Sequence, residues 1–517
     1  MNKRVMGALA FVVVGIVAVV ALRLARPYLQ DAHQRQTSDA QSTLGRVTIA
    51  VDSWVGYVPL CSAEMKQRLR QAGWLLQCQD DHADYAKRMQ RLRDGEIDFA
   101  VATVDAYLLN AAPLDFPGVM VAVIDESKGG DAIVARHDRV ESLDDLKGQS
   151  GLNVALTPNS PSHHLARAAA AHFDVPELLP QGPGRIETDG SAAALKKLMS
   201  GKADVAVLWE PDVSRAVAQP DLVKLLGTED TARLIVDILM VNRRFSQAQP
   251  EVVSLVLSSY FKVLKGFRDQ PETLHRAMVT ATGLPQSSVE AMLKGVAWTN
   301  LTENCRQWFG IAAPGETAAD GLIGTIEATN RILSQHGEAV PLPDGDPYRL
   351  IRSQYLEDLY LQGLAGTVTD RQSTGIVQSL EAPFTPLDDA GWQALRPIGT
   401  LKVEPIIFQR SAAELSFIEQ RKLDDAVARL QHYPNFRVVL KGHTGLRGDP
   451  HANAELSKQR AARVAEYLMS QYRVDPNRLR VMGMGGREPL PRGAGEPERA
   501  YNIRLSRVEF LLVTEVY

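Results

Sequence analysis

The sequence predicts an α/β protein built from an N-terminal membrane helix, a body of two α/β lobes, and a smaller C-terminal α+β domain. An uncharged apolar run opens the chain, strands alternate with helices from about Gly45, and a strand, a glycine turn and a helix follow Leu401. At 517 residues the chain is too long for one hydrophobic core. The predicted parts are a membrane helix at 1–26, a flexible tether at 27–44, the lobes at 45–335, a linker at 336–400 and the last domain at 401–517.

The composition excludes several classes of protein. With 45% hydrophobic and 23% charged residues it is that of an ordinary globular chain, and a net charge of −4 argues against a nucleic-acid partner. No serine or cysteine lies in a nucleophile-elbow or triad motif, so we expect no enzymatic activity and no cofactor. His163, His164 and His172 predict no metal site, because adjacent histidines do not share a helix face and no acidic cluster completes a ligand set.

The first part of the chain predicts the compartment. Val5 to Leu22 contains no charged residue, and a run of this length can span a bilayer. Small residues near Ala18 leave a cleaved signal peptide open, although no clean A-x-A site follows. We expect an uncleaved signal anchor, which makes the protein single-pass in the inner membrane with its body in the periplasm. The polar stretch from Gln30 to Thr43 has the composition of a flexible spacer.

From Gly45 onward, strands alternate with amphipathic helices. Buried-type strands are predicted at 46–51, 97–101 and 204–208, and the last two each follow a helix that ends in glycine. Such alternation is typical of a parallel sheet covered on both faces. Two copies of the helix–glycine–strand unit, about a hundred residues apart, indicate two similar lobes with a cleft between them.

Five short motifs sharpen this interpretation. They are WVGYVPL at 54–60, RDGEID at 93–98, SLDDLKG at 142–148, SPSHH at 160–164 and AVLWEP at 206–211. In this order they resemble the nitrate/sulfonate/taurine type of ABC-transporter binding protein, over roughly Gly45 to Gln335. The resemblance implies the bilobed periplasmic-binding-protein fold, with lobes that close over a small organic anion or zwitterion. An envelope protein complex or an ABC permease is the partner expected to recognise the closed state.

A candidate anion site lies at the start of one helix. Ser160 reads as an N-cap and Pro161 as the first helical residue, which leaves N–H groups free to meet an anion. The resemblance assigns the ligand's oxyanion to Ser160, Ser162 and His163. The alternative is that Ser160 to Ser162 only starts a helix.

Other candidate ligand contacts lie at strand ends, where open α/β sheets bind ligands. Trp54, Tyr57 and Trp209 are aromatic residues at such positions, and Asp105 and Glu210 could hold an amine on the same molecule. For Trp209 a role in closing the hinge is the alternative. Cys61 and Cys78 are candidates for a disulfide in an oxidising compartment, which would leave Cys305 free.

The C-terminal domain carries a second resemblance. An apolar strand at 436–440 is followed by G-H-T at 442–444 and by N-x-x-L-S-x-x-R-A at 453–461. This spacing resembles the OmpA-like peptidoglycan-binding domain, over about Leu401 to Tyr517. In that family an aspartate after the threonine pairs with an amine of peptidoglycan, and an arginine fifteen residues later grips a carboxylate.

The two halves of that clamp differ in this chain. Arg460 stands at the arginine position, but Gly445 replaces the aspartate, and Asp449 is the acid that could reach back from the same loop. With Asn453 and Arg507, these residues form the predicted peptidoglycan site.

Together these features predict a non-enzymatic, membrane-tethered periplasmic protein that binds a small solute and anchors to peptidoglycan. The alternative is a structural envelope tether whose lobes have lost ligand binding and act as a protein-docking scaffold. The linker at 336–400 is either a strut between the two modules or extra structure packed on the lobes.

Overall fold

The computed structural model describes residues 43–312, 318–364, 384–406, 408, 414–472 and 474–514. The predicted membrane helix at 1–26 and nearly all of the tether lie outside these residues. Within the described ranges, none of the helices combines the length and the apolar character needed to cross a bilayer.

The strands, in chain order, are β1 Gly45–Val51, β2 Trp74–Asp80, β3 Phe99–Thr103, β4 Gly118–Ser127, β5 Asp131–Arg136, β6 Val154–Leu156, β7 Arg185–Glu187, β8 Val205–Trp209, β9 Leu222–Gly227, β10 Val236–Asn242, β11 Val296–Trp298, β12 Arg396–Leu401, β13 Arg437–His443, β14 Leu479–Gly485 and β15 Val508–Thr514. The α-helices are α1 Val58–Cys61, α2 Ala63–Gln71, α3 Tyr85–Asp94, α4 Val104–Ala111, α5 Pro161–Phe173, α6 Ser191–Met199, α7 Asp212–Val217, α8 Arg243–Ala248, α9 Pro250–Asp269, α10 Pro271–Thr282, α11 Gln286–Leu293, α12 Leu301–Glu303, α13 Gly321–Gln335, α14 Gln354–Leu364, α15 Asp389–Gln393, α16 Phe417–Leu430, α17 Pro450–Tyr472 and α18 Glu498–Leu505.

Lobe 1 is a six-stranded sheet in the order β11-β4-β10-β3-β1-β2. The run of β1 is buried from Val47 to Val51, as expected for a strand covered on both faces. The helix α3 buries Met89 and Leu92 on one side and ends at Gly95, whose φ of +75° favours glycine. These elements form the strand and helix units that the sequence predicts, with strand bounds shifted by one or two residues.

Lobe 2 is a five-stranded sheet in the order β7-β6-β8-β5-β9. The prediction of parallel sheets is only partly correct, because both sheets are mixed. In lobe 1, β10 runs antiparallel to β3 and β4, and in lobe 2, β5 runs antiparallel to β8 and β9. The chain passes between the lobes after β4 and again after β9. The strands next to these passages are the ones that run antiparallel to their neighbours. The alternation of strands and helices in the sequence does not indicate strand direction.

The C-terminal domain is a four-stranded sheet in the order β12-β15-β13-β14, with α17 packed on β13 and β14. Its edge strand β12, at 396–401, lies almost wholly in the segment predicted as linker. This part of the segment is a strand because its backbone pairs with β15. The helix α14, in the same segment, packs against α9 of lobe 1. The described part of the segment therefore adds structure to both neighbours.

The C-terminal domain is docked directly on lobe 2. One apolar cluster runs without a break from Phe173, at the end of α5, to Tyr433 and Phe436 of the C-terminal domain. The Tyr433 hydroxyl lies 2.7 Å from Nδ1 of His172, and the Phe173 and Tyr433 rings are 5.2 Å apart. Burial lowers the pKa of His172 well below its usual range, so this ring is neutral.

Polar contacts at the edge of the apolar cluster fix the docking. The Thr400 amide donates to Asp144 at 3.0 Å, and the Ala232 amide donates to the His432 carbonyl at 2.8 Å.

In lobe 1, Cys61 and Cys78 form a disulfide, while Cys305 is buried as a free thiol.

We predict that Tyr433→Ala weakens this docking. Removing the ring leaves a cavity inside a closed apolar cluster, and such truncations cost about 3 to 5 kcal/mol of unfolding free energy. Tyr433→Phe is the matched control, since it removes only the hydroxyl and costs about 1 kcal/mol. Urea unfolding would give the energies, and hydrogen exchange at α5 and β12 would report the loss of contact. Equal effects of the two substitutions would contradict a packed interface.

Candidate functional site

A small cavity lies where the two lobes meet. Side chains from both lobes line it, and the lobes are closed over it: Trp209 Nε1 lies 3.4 Å from Ser53 Oγ, and Asn110 Nδ2 donates to the Asn159 carbonyl at 3.1 Å. The cavity has a volume of about 10 Å³, which is about the space that one water molecule needs. The residues that line it are Asp52, Trp54, Tyr57, Tyr85, Asp131, Pro161, Trp209, Ile235 and Asp237.

Most carboxylates at the cavity have hydrogen-bond partners. Asp52 accepts from Nη1 of the buried Arg88 at 3.1 Å, and the Tyr57 hydroxyl donates to Asp237. Asp131 differs. It is 1% exposed, and its Oδ1 has no hydrogen-bond partner among the described residues.

Burial raises the pKa values of these acids. It raises the pKa of Asp131 to about 7, with the charges of Asp105 and Glu210 adding to the effect. Asp125 lies behind the cavity, accepts from Trp54 Nε1 at 3.1 Å, and faces Asp237 across the β4–β10 pair. Burial also raises the pKa of Asp125 and of Asp237 well above the usual range.

Three of the predicted ligand residues, Trp54, Tyr57 and Trp209, line the cavity. The two predicted amine-binding acids are buried near it. Glu210 accepts from the Ser214 amide at 2.9 Å and from its hydroxyl at 2.7 Å, so its carboxylate holds the start of α7. Asp105 is 2% exposed, and its Oδ2 has no hydrogen-bond partner in the described part of the chain.

The start of α5 meets the cavity through Pro161 alone. The Ser160 hydroxyl donates to the Thr157 carbonyl at 2.6 Å, and Ser162 Oγ accepts from the Thr157 amide at 3.3 Å. His163 accepts at Nδ1 from the Asn159 amide at 3.2 Å. Burial, with Arg167 and Arg185 nearby, lowers the pKa of His163 to about 2, so the ring is neutral. These side chains therefore hold the loop and the helix start together.

Sequence reasoning missed Asp52, Tyr85, Asp131 and Asp237. A weak signal exists for two of them, because Asp52 directly follows β1 and Asp131 opens β5. An acid at the end of an apolar strand is a candidate for a cleft residue.

The predicted peptidoglycan loop follows β13. Asp449 accepts from the Ala452 amide at 2.8 Å and thus caps α17, while Asn453 donates to the Arg447 carbonyl at 3.0 Å. A Cβ atom at Gly445 would lie 3.3 Å from Asn502 Oδ1. In this structure the Asp449 carboxylate is therefore hydrogen-bonded to the first turn of α17.

Arg460 is buried, with 6% of its surface exposed. Its Nη1 donates to Ser506 Oγ at 2.8 Å, and its guanidinium carbon lies 5.1 Å from the centre of the Phe408 ring. Gly445 lies beside Asn502, and Arg460 contacts Ser506. These two neighbours are four residues apart, so the two positions of the predicted clamp contact the same short segment. Arg507 Nε donates to Glu509 at 2.6 Å.

A trio of possible metal ligands lies near this loop. Within the described residues, ligand atoms of His443, Glu488 and Glu509 lie within 4.8 Å of one another. Lys441 pairs with Glu488 at 3.3 Å and Arg507 pairs with Glu509 at 2.6 Å, so the carboxylates already have counter-charges. We assign no metal here.

Comparison with known protein families identifies two domains. Residues 82–269 match the family of the ABC transporter, phosphonate, periplasmic substrate-binding protein, and residues 407–503 match the OmpA family. The predicted combination of a periplasmic-binding domain with a C-terminal OmpA-like domain is therefore confirmed.

Two curated relatives match part of the chain. Outer membrane porin F of Pseudomonas aeruginosa is 26% identical over 149 residues, which cover 28% of this chain and 42% of the porin. The peptidoglycan-associated lipoprotein of Rhizobium meliloti is 32% identical over 85 residues, which cover 16% of this chain and 48% of the lipoprotein. The chain thus spans less than half the length of these two relatives.

Two solved structures are similar to part of this chain. The periplasmic aliphatic sulphonate binding protein SsuA from Escherichia coli is 17% identical, with a TM-score of 0.45, and the match covers 62% of this chain and 100% of that one. The periplasmic nitrate-binding protein NrtA from Synechocystis PCC 6803 is 13% identical, with a TM-score of 0.45, and covers 64% and 91%.

We predict that Asp131 makes stability depend on pH. Its folded pKa of about 7 lies above the unfolded value of about 3.9, so between these values the folded state holds a proton that the unfolded state has lost. The stabilisation is complete below pH 4 and is lost as the pH rises through 7. Asp131→Asn, which cannot ionise, should match the wild type near pH 4 and exceed it above pH 7 by on the order of 3 to 4 kcal/mol.

Urea unfolding at several pH values would measure this difference. Asp138→Asn is the control, because Asp138 is an exposed acid paired with Arg136. A difference between Asp131→Asn and the wild type that does not change with pH would contradict the assignment.

Proposed function

We propose, since the chain joins a periplasmic-binding domain to an OmpA domain, that it binds a small solute between its lobes and anchors to peptidoglycan. It acts in this proposal as a binding protein and not as an enzyme. The observation that carries the proposal is the cavity, which is lined by aromatic and acidic side chains from both lobes. An organic anion or a zwitterion is the solute class that the sequence predicts.

Lobe movement is the proposed mechanism of binding. The cavity has room for about one water molecule, so a larger solute enters only if the lobes separate and then close again. Contacts such as Trp209 to Ser53 would break on opening and re-form on closure. An envelope complex or an ABC permease is the proposed reader of the closed state.

Two attachments would hold the protein in place. The uncharged run from Val5 to Leu22 is the proposed single-pass anchor in the inner membrane, which leaves the body in the periplasm. The OmpA domain is the proposed attachment to the wall, with Arg460 as the carboxylate-binding group.

One observation favours the alternative of a structural tether without a solute. The cavity is small, and the polar groups at the start of α5 are bonded to their own loop. In that case the closed lobes would serve as a docking scaffold for another envelope protein.

We predict that lobe closure can be measured in solution. Taurine, glycine and nitrate would be added in turn to the purified protein, and the compound that binds should lower its radius of gyration in X-ray scattering. Trp209→Ala, which removes a wall of the cavity, should weaken that binding by about tenfold or more. Trp392→Ala, in the C-terminal part of the chain, is the matched control. No change with any of the three compounds, together with normal retention on cell wall, would favour the structural tether.

We predict that Arg460→Ala lowers retention on purified cell-wall sacculi. Loss of a charge-assisted contact to a carboxylate costs about 1.5 to 3 kcal/mol, which is about a ten- to hundredfold loss of affinity. Arg463→Ala is the control, since Arg463 lies on the same helix, is half-exposed and pairs with Glu466. Co-sedimentation would measure retention, and a melting curve would verify that each variant is folded.

Gly445→Asp gives the same experiment a gain-of-function arm. It restores the family's acid at a position where the added Cβ meets only the side chain of Asn502. Retention should rise above that of the wild type. If Arg460→Ala and Gly445→Asp both leave retention unchanged, the wall site is not used.

A further inference from the structure

The cavity between the lobes is lined by acidic side chains and by no basic ones. Of its nine lining residues three are aspartates, and none is lysine, arginine or histidine. Arg88 faces Asp52 from behind, but the same guanidinium also pairs with Asp81. Within the described part of the chain, Oδ1 of Asp131 has neither a cation nor a hydrogen-bond donor, although the side chain is buried.

An unpartnered buried carboxylate oxygen is costly, because burial removes its water without replacing it. Asp131 lines the cavity, so a group inside the cavity is placed to meet it. The negative charges of Asp105, Glu210 and Asp52 act on the same point. A cation in the cavity would compensate for the missing hydrogen bond and reduce the repulsion between the acids, whereas an anion would increase that repulsion.

The remaining walls are aromatic. Trp54, Tyr57, Tyr85 and Trp209 surround the space, and the faces of such rings attract cations. A hard metal ion needs about six oxygen ligands, which rings cannot supply. An ammonium group needs a counter-charge, a hydrogen-bond acceptor and an apolar or aromatic surround, and this cavity offers all three.

The size of the space selects among ammonium groups. Its room for about one water molecule matches a primary ammonium, which is close to water in size, and is too small for a trimethylated head group. The rest of the solute would then lie towards the lobe opening.

We propose that the cavity holds the primary ammonium end of the solute, with Asp131 Oδ1 as its counter-charge and acceptor and the four aromatic rings as its walls. This inference rests on the proposed solute-binding function and narrows it. It replaces Asp105 and Glu210 by Asp131 as the principal contact of the amine. A solute without an amine, such as a simple alkylsulfonate or nitrate, does not satisfy the site.

The test compares probes that differ by one amine. Taurine and ethanesulfonate share a sulfonate and a two-carbon chain, and only taurine carries the ammonium group. Methylammonium and nitrate are the smallest cationic and anionic probes. Calorimetry with the full-length protein would measure each probe on the wild type, on Asp131→Asn and on Asp138→Asn. Asp138 is the exposed control acid, and melting curves verify folding of both variants.

We expect taurine to bind at least about tenfold more tightly than ethanesulfonate, and methylammonium to bind where nitrate does not. Asp131→Asn should weaken both amines by about ten- to a hundredfold, while Asp138→Asn leaves them unchanged. If ethanesulfonate matches taurine, or if Asp131→Asn leaves taurine binding intact, the amine assignment is overturned and solute binding still stands. If none of the four probes binds to the folded wild type, both proposals fall together.

Discussion

Charge balance at the junction of the lobes is the constraint on which the rest of this structure depends. Four aspartates, at positions 52, 125, 131 and 237, are buried within or behind one small space, and Arg88 is the guanidinium that meets the first of them. Burying a carboxylate is unfavourable unless it is paired, hydrogen-bonded or protonated, and this site uses all three solutions. Asp52 has a cation, Asp125 has the indole N–H of Trp54, and the pKa of Asp131 is raised to about 7. The lobes therefore close over a space in which one carboxyl oxygen, Oδ1 of Asp131, has no hydrogen-bond partner among the described residues.

The two domains treat their key polar side chains differently. In the cleft, Oδ1 of Asp131 has no hydrogen-bond partner in the ranges that the structure describes. In the C-terminal domain, Arg460 already contacts Ser506 and the Phe408 ring, and Asp449 caps the helix α17. A ligand at the proposed wall site would compete with contacts inside the domain, whereas a ligand in the proposed cleft site would meet an acceptor oxygen that the described residues leave unbonded.

The sequence was sufficient for the elements and for both family resemblances, since strand β1, the helix ending at Gly95 and the strand before Gly442 all follow from local patterns. The mixed sheets could not be foreseen, because strand direction depends on where the chain passes between lobes. The helix start predicted at Ser160 is present, and the anion site there stays a prediction. The hydroxyls of Ser160 and Ser162 are hydrogen-bonded to the backbone of Thr157, which a sequence motif does not report. Asp131 and Asp237 were missed because each stands beside a run of apolar strand residues, and only the packed structure brings the two acids together.

The docking of the OmpA domain on lobe 2 has a mechanical consequence. The helix α5, of 13 residues and about 20 Å, begins beside the cavity at Pro161 and ends in the contacts of His172 and Phe173 with Tyr433. Lobe 2 and the C-terminal domain thus share a single hydrophobic interior, so the proposed attachment to the cell wall would also hold lobe 2 in place. If the lobes open and close as proposed, lobe 1, which lies nearer in sequence to the N-terminal apolar run, is the part that moves relative to the C-terminal domain.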